Sequence, residues 1–292
     1  MFRGAITALV TPFRDGRVDE PRLRALVDQQ VAAGIDAILP CGTTGESPTL
    51  SHEEHDQVVA IVVEQARRRT KVLAGTGSNS TEEALRLTRH AREVGADGAV
   101  LVAPYYNKPT QEGLYQHYRR IAREVRGFPL VIYNIPGRTS VNVLPETLGR
   151  LSEIDNIVGV KEATGSVQQA IETVQRCRKD FALLCGDDIL TLPLLAIGGV
   201  GVISVTSNVV PADVKAVVDA WVAGKPEEAR RLHYRLAPLH QALFLETNPA
   251  PVKTAMAMLG MIEAEIRLPL CGLSEGNAEK LRRALRDYGL PA

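Results

Sequence analysis

Lys161 closes a short apolar run, Ile157-Val158-Gly159-Val160, and is followed by Glu162-Ala163-Thr164-Gly165-Ser166. Such a run predicts a strand buried on both faces, as the central strands of parallel sheets are. The lysine then stands at the strand's carboxyl end, where parallel sheets bind their ligands. Low-dielectric surroundings strip water from an ammonium and lower its pKa, so the free amine that attacks carbonyls becomes accessible near neutral pH. Lys161 is therefore the candidate Schiff-base nucleophile. The alternative is a strand-end lysine whose stem covers apolar surface while its head reaches water.

Other chemistry-bearing groups also follow apolar runs. In Tyr133-Asn134-Ile135-Pro136-Gly137-Arg138-Thr139 a phenol able to relay protons precedes a guanidinium able to hold a carboxylate bidentately. In Cys41-Gly42-Thr43-Thr44-Gly45-Glu46-Ser47 the glycines allow close backbone approach, and the hydroxyls with successive N–H groups offer a nest for a small carboxylate. Tyr105 and Tyr106 are adjacent in a chain with only 4% aromatics, suiting them to a site or to interface packing.

Gly186-Asp187-Asp188 has two acids that would repel phosphate and no further ligand at coordinating spacing, so a tight turn admitting substrate is expected there. His52-Glu53-Glu54-His55 has its histidines three apart, not the four of a zincin helix, and reads as a solvated helix start. Gly198-Gly199-Val200-Gly201 precedes a strand, whereas a dinucleotide fingerprint follows one. Neither a metal nor an organic cofactor is expected.

These groups need elements to hold them. Strands are expected over Ala5 to Val10, Ala37 to Pro40, Lys71 to Gly75, Gly98 to Val102, Pro129 to Tyr133, Ile157 to Lys161, Phe181 to Cys185 and Gly201 to Val205. Helices are expected between them. Two open on the capping-box spacing, Ser51 with Glu54 and Ser80 with Glu83, and others begin near Thr110, Pro145, Ser166, Ile189 and Pro211. Eight such βα units predict a (β/α)8 TIM barrel over residues 1–223, with a doubly wound sheet as the weaker alternative. Beyond Gly224 the strand signals stop. Glu227 to Phe244, Pro251 to Leu259 and Ser274 to Tyr288 predict an α-helical appendage of about three helices over residues 224–292.

Composition narrows the functional classes. The 34 basic and 34 acidic residues balance and form no basic block, which argues against nucleic acid and against a polybasic membrane patch. No apolar stretch approaches the roughly 20 residues that span a bilayer. The N-terminal apolar run is too short for a signal-peptide core, so a cytoplasmic protein is expected. Cys41, Cys177, Cys185 and Cys271 form no Cys-x-x-Cys pair and are expected to be reduced thiols.

Together, Gly42-Thr43-Thr44-Gly45-Glu46, Tyr105-Tyr106-Asn107-Lys108-Pro109, Tyr133 to Thr139 and Gly159-Val160-Lys161-Glu162-Ala163-Thr164-Gly165 closely resemble the 4-hydroxy-tetrahydrodipicolinate synthases, formerly dihydrodipicolinate synthases. The similarity runs through Gly186-Asp187-Asp188 and Gly201-Val202-Ile203-Ser204 to the C-terminal helices. It implies aldol condensation of pyruvate with L-aspartate 4-semialdehyde, the first committed step towards diaminopimelate and lysine, in a homotetramer built as a dimer of dimers.

On this resemblance Lys161 carries the pyruvate imine, and Tyr133 is the central acid/base. Thr43 links Tyr133 to Tyr106 in a relay that crosses a subunit interface. Thr44 holds the pyruvate carboxylate, Arg138 the semialdehyde carboxylate, and Gly186 and Ile203 shape the pocket. The resemblance also implies an allosteric lysine site at Ser47, Pro48, His52, His55, Asn79, Glu83 and Tyr105, with L-lysine as feedback inhibitor. Pro48 departs from a common Ala. Other Schiff-base lyases of the superfamily, N-acetylneuraminate lyase and 2-keto-3-deoxy sugar acid aldolases, share the lysine and tyrosine. Arg138 and the Thr43-Thr44 pair separate them. A catalytically silent barrel that binds keto acids or amino acids is the remaining alternative.

Overall fold

Eight short parallel strands close into a barrel, and the inside-outside alternation of their side chains decides what faces its axis. The structure, a computed structural model, describes residues 2–292. Met1, the first residue of the expected 1–223 unit, lies outside the described residues. The strands are β1 (Gly4–Ala8), β2 (Ala37–Leu39), β3 (Lys71–Gly75), β4 (Gly98–Val102), β5 (Leu130–Asn134), β6 (Ile157–Glu162), β7 (Ala182–Cys185) and β8 (Gly201–Ser204). Each neighbours the next, and β1 pairs with both β2 and β8 to close the ring.

The expected windows match these strands to within a residue or two. Val10 leaves the first window because its N–H donates to the Asn208 side chain instead of to a neighbouring strand. Phe181 is bonded back to Arg178 in a turn before β7. A small antiparallel ribbon, Phe13–Arg14 with Arg17–Val18, was not anticipated. Its Asp15-Gly16 turn, both residues at positive φ, is a hairpin signal, but two-residue strands are too short to show alternation.

Ile6, Ala8, Leu39, Leu73, Val100, Val131, Tyr133, Leu184 and Ile203 fill the barrel interior. Ala5, Ile38, Ala74, Leu101, Ile132, Val160, Leu183 and Val202 point outward into the layer shared with the helices. The pleat's period of two therefore gives each strand one face to each core. Gly159 belongs to the interior series of β6. A Cβ there would meet the Ala182 carbonyl oxygen at 2.5 Å, so the close approach of β6 to β7 requires glycine.

Ser51 heads the helix His52–Ala66 with a complete capping box: its hydroxyl accepts from Glu54 N–H, and the Glu54 carboxylate accepts from Ser51 N–H. The expected second box is only half formed. Ser80 accepts from Glu83 N–H, but the Glu83 carboxylate turns away to Ser78 and His52. Thr110 and Ser166 cap their helices as their positions suggested. The C-terminal helices are Pro226–Ala242, Ala250–Met258 and Glu275–Tyr288. The first packs on the last helix of the barrel, Pro211–Val222, and against Glu275–Tyr288. Among the described residues no helix is long and apolar enough to cross a membrane.

Candidate active site

The strand register brings the two central groups together. Tyr133 and Lys161 are partners across β5 and β6, so both point into the barrel near its carboxyl end. The Lys161 amine lies 4.1 Å from the centroid of the Tyr133 ring. With Lys161 only 7% exposed, burial pushes its pKa down to about 8 against the upward pull of the Asp188 charge. Burial likewise pushes Tyr133 up to about 12, opposed by the nearby Arg138 charge and by a hydrogen bond with the Thr43 side chain. The pair thus holds a largely desolvated amine beside a protonated phenol, a nucleophile and a proton donor in contact.

Both face a cavity of about 580 Å³, whose wall also includes Thr43, Arg138 and Thr139. Arg138 lies on a single turn of helix, Pro136–Thr139, and its Nη2 donates to the Asn248 carbonyl oxygen at 3.1 Å. Thr44, Gly186 and Ile203 are not on this wall. Thr44 is buried, with its Oγ1 accepting from Asn248 Nδ2 at 3.0 Å. Gly186 abuts the lysine: a Cβ at this position would stand 3.1 Å from Lys161 Cγ. Ile203 belongs to the interior cluster that also contains Tyr133.

Tyr106 is not brought to the Tyr133 and Thr43 of its own chain. It is 88% exposed, with a left-handed backbone at φ 70°. Of the residues expected to bind lysine, Ser47, Pro48, His52, His55, Glu83 and Tyr105 line the same cavity, while Asn79 does not. Asn79 instead accepts at its carbonyl from Asn107 Nδ2.

His52 and His55 serve different environments. His52 Nε2 contacts the Glu83 carboxylate at 2.8 Å on the exposed side, and Glu83 is held below the usual carboxylate range by its Ser78 and His52 contacts. His55 is buried and donates Nε2–H to the Gly75 carbonyl oxygen, while Nδ1 makes no hydrogen bond and lies 3.9 Å from Asp56 Oδ1. Burial lowers its pKa.

Four supporting residues were missed. Asp188 is not merely part of a turn: its buried Oδ2 accepts from the N–H groups of Val205 and Thr206, tying the end of β7 to that of β8. Glu46 forms a buried ion pair with Lys253 of the helix Ala250–Met258. Asn248 reaches both Thr44 and Arg138. A signal existed for Lys253 alone, since a lysine within Ala250-Pro251-Val252-Lys253-Thr254-Ala255-Met256 must snorkel or find an anion.

The comparisons agree with this geometry. A family model described as the dihydrodipicolinate synthetase family matches residues 1–288. A 4-hydroxy-tetrahydrodipicolinate synthase from Syntrophus aciditrophicus (strain SB) is 57% identical over 290 residues, 99% of each chain. The crystal structure of dihydrodipicolinate synthase from Aquifex aeolicus superposes with a TM-score of 0.98 at 53% identity, covering 99% of both chains. The enzyme from Cyanidioschyzon merolae with lysine bound gives a TM-score of 0.96 at 42% identity over 99% of both chains. With an eight-stranded barrel, a lysine and tyrosine paired across its interior, and matches that run the length of the sequence, this chain belongs to the dihydrodipicolinate synthetase family.

Proposed function

We propose that this enzyme joins pyruvate to L-aspartate 4-semialdehyde through an imine on Lys161, giving 4-hydroxy-tetrahydrodipicolinate. The family places it among the lyases of the diaminopimelate route to lysine. The observation that carries the reading is the desolvated Lys161 amine against the Tyr133 ring at a cavity that also presents Arg138.

The Lys161 amine adds to the keto carbon of pyruvate, and loss of water leaves the imine. Loss of a methyl proton gives the enamine, whose carbon attacks the aldehyde and forms the new C–C bond. The substrate's own amine then attacks the imine carbon, closes the ring and expels Lys161. Tyr133, a neutral phenol at neutral pH, donates and recovers protons at these steps. Thr44 holds the pyruvate carboxylate, and Arg138 holds that of the semialdehyde by charge-assisted hydrogen bonds.

Tyr106 completes the relay to Thr43 in a neighbouring subunit of a homotetramer. Support comes from its exposed ring on a left-handed backbone, a conformation costing about 1 kcal/mol or more that an assembly contact would offset. The reading includes a cytoplasmic location, in which buried Cys41 and Cys185 stay reduced. Sialic-acid and keto-deoxy-sugar aldolase readings are disfavoured by Arg138 at the cavity wall.

The test is borohydride reduction in the presence of pyruvate, read by mass spectrometry. A reduced adduct is expected on the peptide containing Lys161. Its rate of formation at subsaturating pyruvate should rise as pH passes through about 8, because that is where the amine loses its proton. Arg138→Ala should keep the adduct and lose most semialdehyde turnover. An unlabelled Lys161 with intact pyruvate binding removes the aldolase class, and full turnover in Arg138→Ala points to another aldehyde.

L-lysine is proposed to inhibit by occupying the cavity segment around His52, His55, Glu83 and Tyr105. The Glu83 carboxylate suits its ammonium. Titrating L-lysine should inhibit wild type, and Glu83→Ala should need about tenfold more lysine relative to its own uninhibited rate. Unchanged sensitivity in that variant rejects this assignment.

A further inference from the structure

Asn248 follows the helix Pro226–Ala242 and is 5% exposed, with no place on the cavity wall. Its Nδ2 donates to Thr44 Oγ1 at 3.0 Å, and its main-chain carbonyl accepts from Arg138 Nη2 at 3.1 Å. We propose that Asn248 is a positioning residue whose side chain forces the Thr44 hydroxyl to act as a donor towards the keto acid carboxylate. Its main chain separately steadies the guanidinium that meets the second substrate. This rests on the imine reading above and deepens it.

The argument is one of hydrogen-bond polarity. A hydroxyl has one proton to give and two lone pairs to receive with. The amide nitrogen can only donate, so its contact occupies a lone pair of Thr44 and leaves the hydroxyl proton for another acceptor. Thr44 Oγ1 has no other hydrogen-bond partner among the described residues, and an incoming carboxylate supplies the missing acceptor.

The opposite amide orientation would have Thr44 donate to Asn248 and turn lone pairs towards an anion. It would also leave up to two amide protons buried without acceptors. In the structure the amide nitrogen is the donor to Thr44, with Oδ1 and the second amide proton left without partners. Because the two contacts come from different parts of the residue, changing the side chain should affect one substrate and spare the other.

The test is steady-state kinetics with each substrate varied in turn, on wild type, Asn248→Ala, Asn248→Asp and Thr44→Val. Asn248→Ala should raise the pyruvate KM about tenfold, leaving kcat within about threefold and the semialdehyde KM within about twofold. Asn248→Asp can only accept, so it takes the Thr44 proton and adds a negative charge; its pyruvate KM should rise further, to about 100-fold. Thr44→Val should match Asn248→Ala, and the double variant should be no worse than Thr44→Val alone.

A structural role would lower kcat or raise both KM values together, and that result overturns the proposal. So does an unchanged pyruvate KM in Thr44→Val, which needs no Asn248 variant to fold. Wild type that forms no borohydride adduct at Lys161 sinks the imine reading itself. Wild type that forms it, with variants of unaltered pyruvate dependence, sinks only the role of Asn248.

Discussion

Lys161→Met is expected to abolish the borohydride adduct and lower kcat/KM by about 10⁴-fold or more, while raising the melting temperature. The loss follows from chemistry, since a thioether cannot form an imine and no second lysine lines the cavity. The gain follows from the fold. Lys161 has no ion-pair partner among the described residues, and burial holds its folded pKa at about 8, below the usual lysine value of 10.5. Between these values the unfolded chain holds a proton that the folded chain has released, so stability rises with pH across this window. Below pH 8 both states are protonated, and the folded state carries the full penalty of the buried ammonium.

Replacing the amine by a methionine of similar length removes that penalty, by about 2 kcal/mol at neutral pH, and should raise the melting temperature by about 4 °C. The advantage should shrink as pH rises from about 8, be mostly lost by about pH 10, and vanish above about 10.5, where the wild-type amine is neutral in both states. Calorimetry at pH 7 and pH 10 measures both effects. A melting temperature that falls at pH 7 would show that the amine is not held against its solvation preference, removing the basis for its nucleophilicity.

The same balance explains what could be read from the sequence. All eight barrel strands were visible because each is a short run of mostly apolar residues, with β-branched members in all but Ala182–Cys185, and burial on two faces is a local property of such a run. Lys161 and Tyr133 were visible because each interrupts or closes one. The Ser51 box was visible and formed, whereas the Ser80 box was visible and lost its glutamate. Glu83 gains more from the Ser78 hydroxyl and the His52 ring, 31 residues away, than from its own helix terminus. Asn248 carried no local mark at all. Its partner Thr44 is 204 residues distant, and nothing in Thr247-Asn248-Pro249 distinguishes a buried positioning amide from a surface turn. Contacts between the C-terminal helices and the barrel mouth depend on tertiary packing, which periodicity does not encode.

Lys253→Met should be the most destabilising single change to these helices, costing about 3–5 kcal/mol in chemical denaturation. Lys253 is 0% exposed; its ammonium donates to Glu46 Oε1 and to the Thr11 carbonyl oxygen, and it lies 4.3 Å from the centroid of the Phe13 ring. Glu46 Oε2 accepts from Arg267 N–H. Removing the ammonium leaves a carboxylate in the interior with one main-chain donor and only the Arg267 guanidinium, itself paired with Glu54, as a nearby positive charge. Glu46 also has a left-handed backbone at φ 53° and directly follows Thr43-Thr44-Gly45, so this ion pair holds the loop that would receive pyruvate. Lys253→Met should therefore weaken pyruvate capture as well as stability, a coupling that damage to a remote surface helix would not produce. Adding Glu46→Gln removes the stranded charge while keeping an acceptor for Arg267 N–H, and the double variant should recover most of the lost stability. If Lys253→Met unfolds at the wild-type denaturant concentration, or if Glu46→Gln adds to its loss instead of reversing it, the pair does not hold this loop.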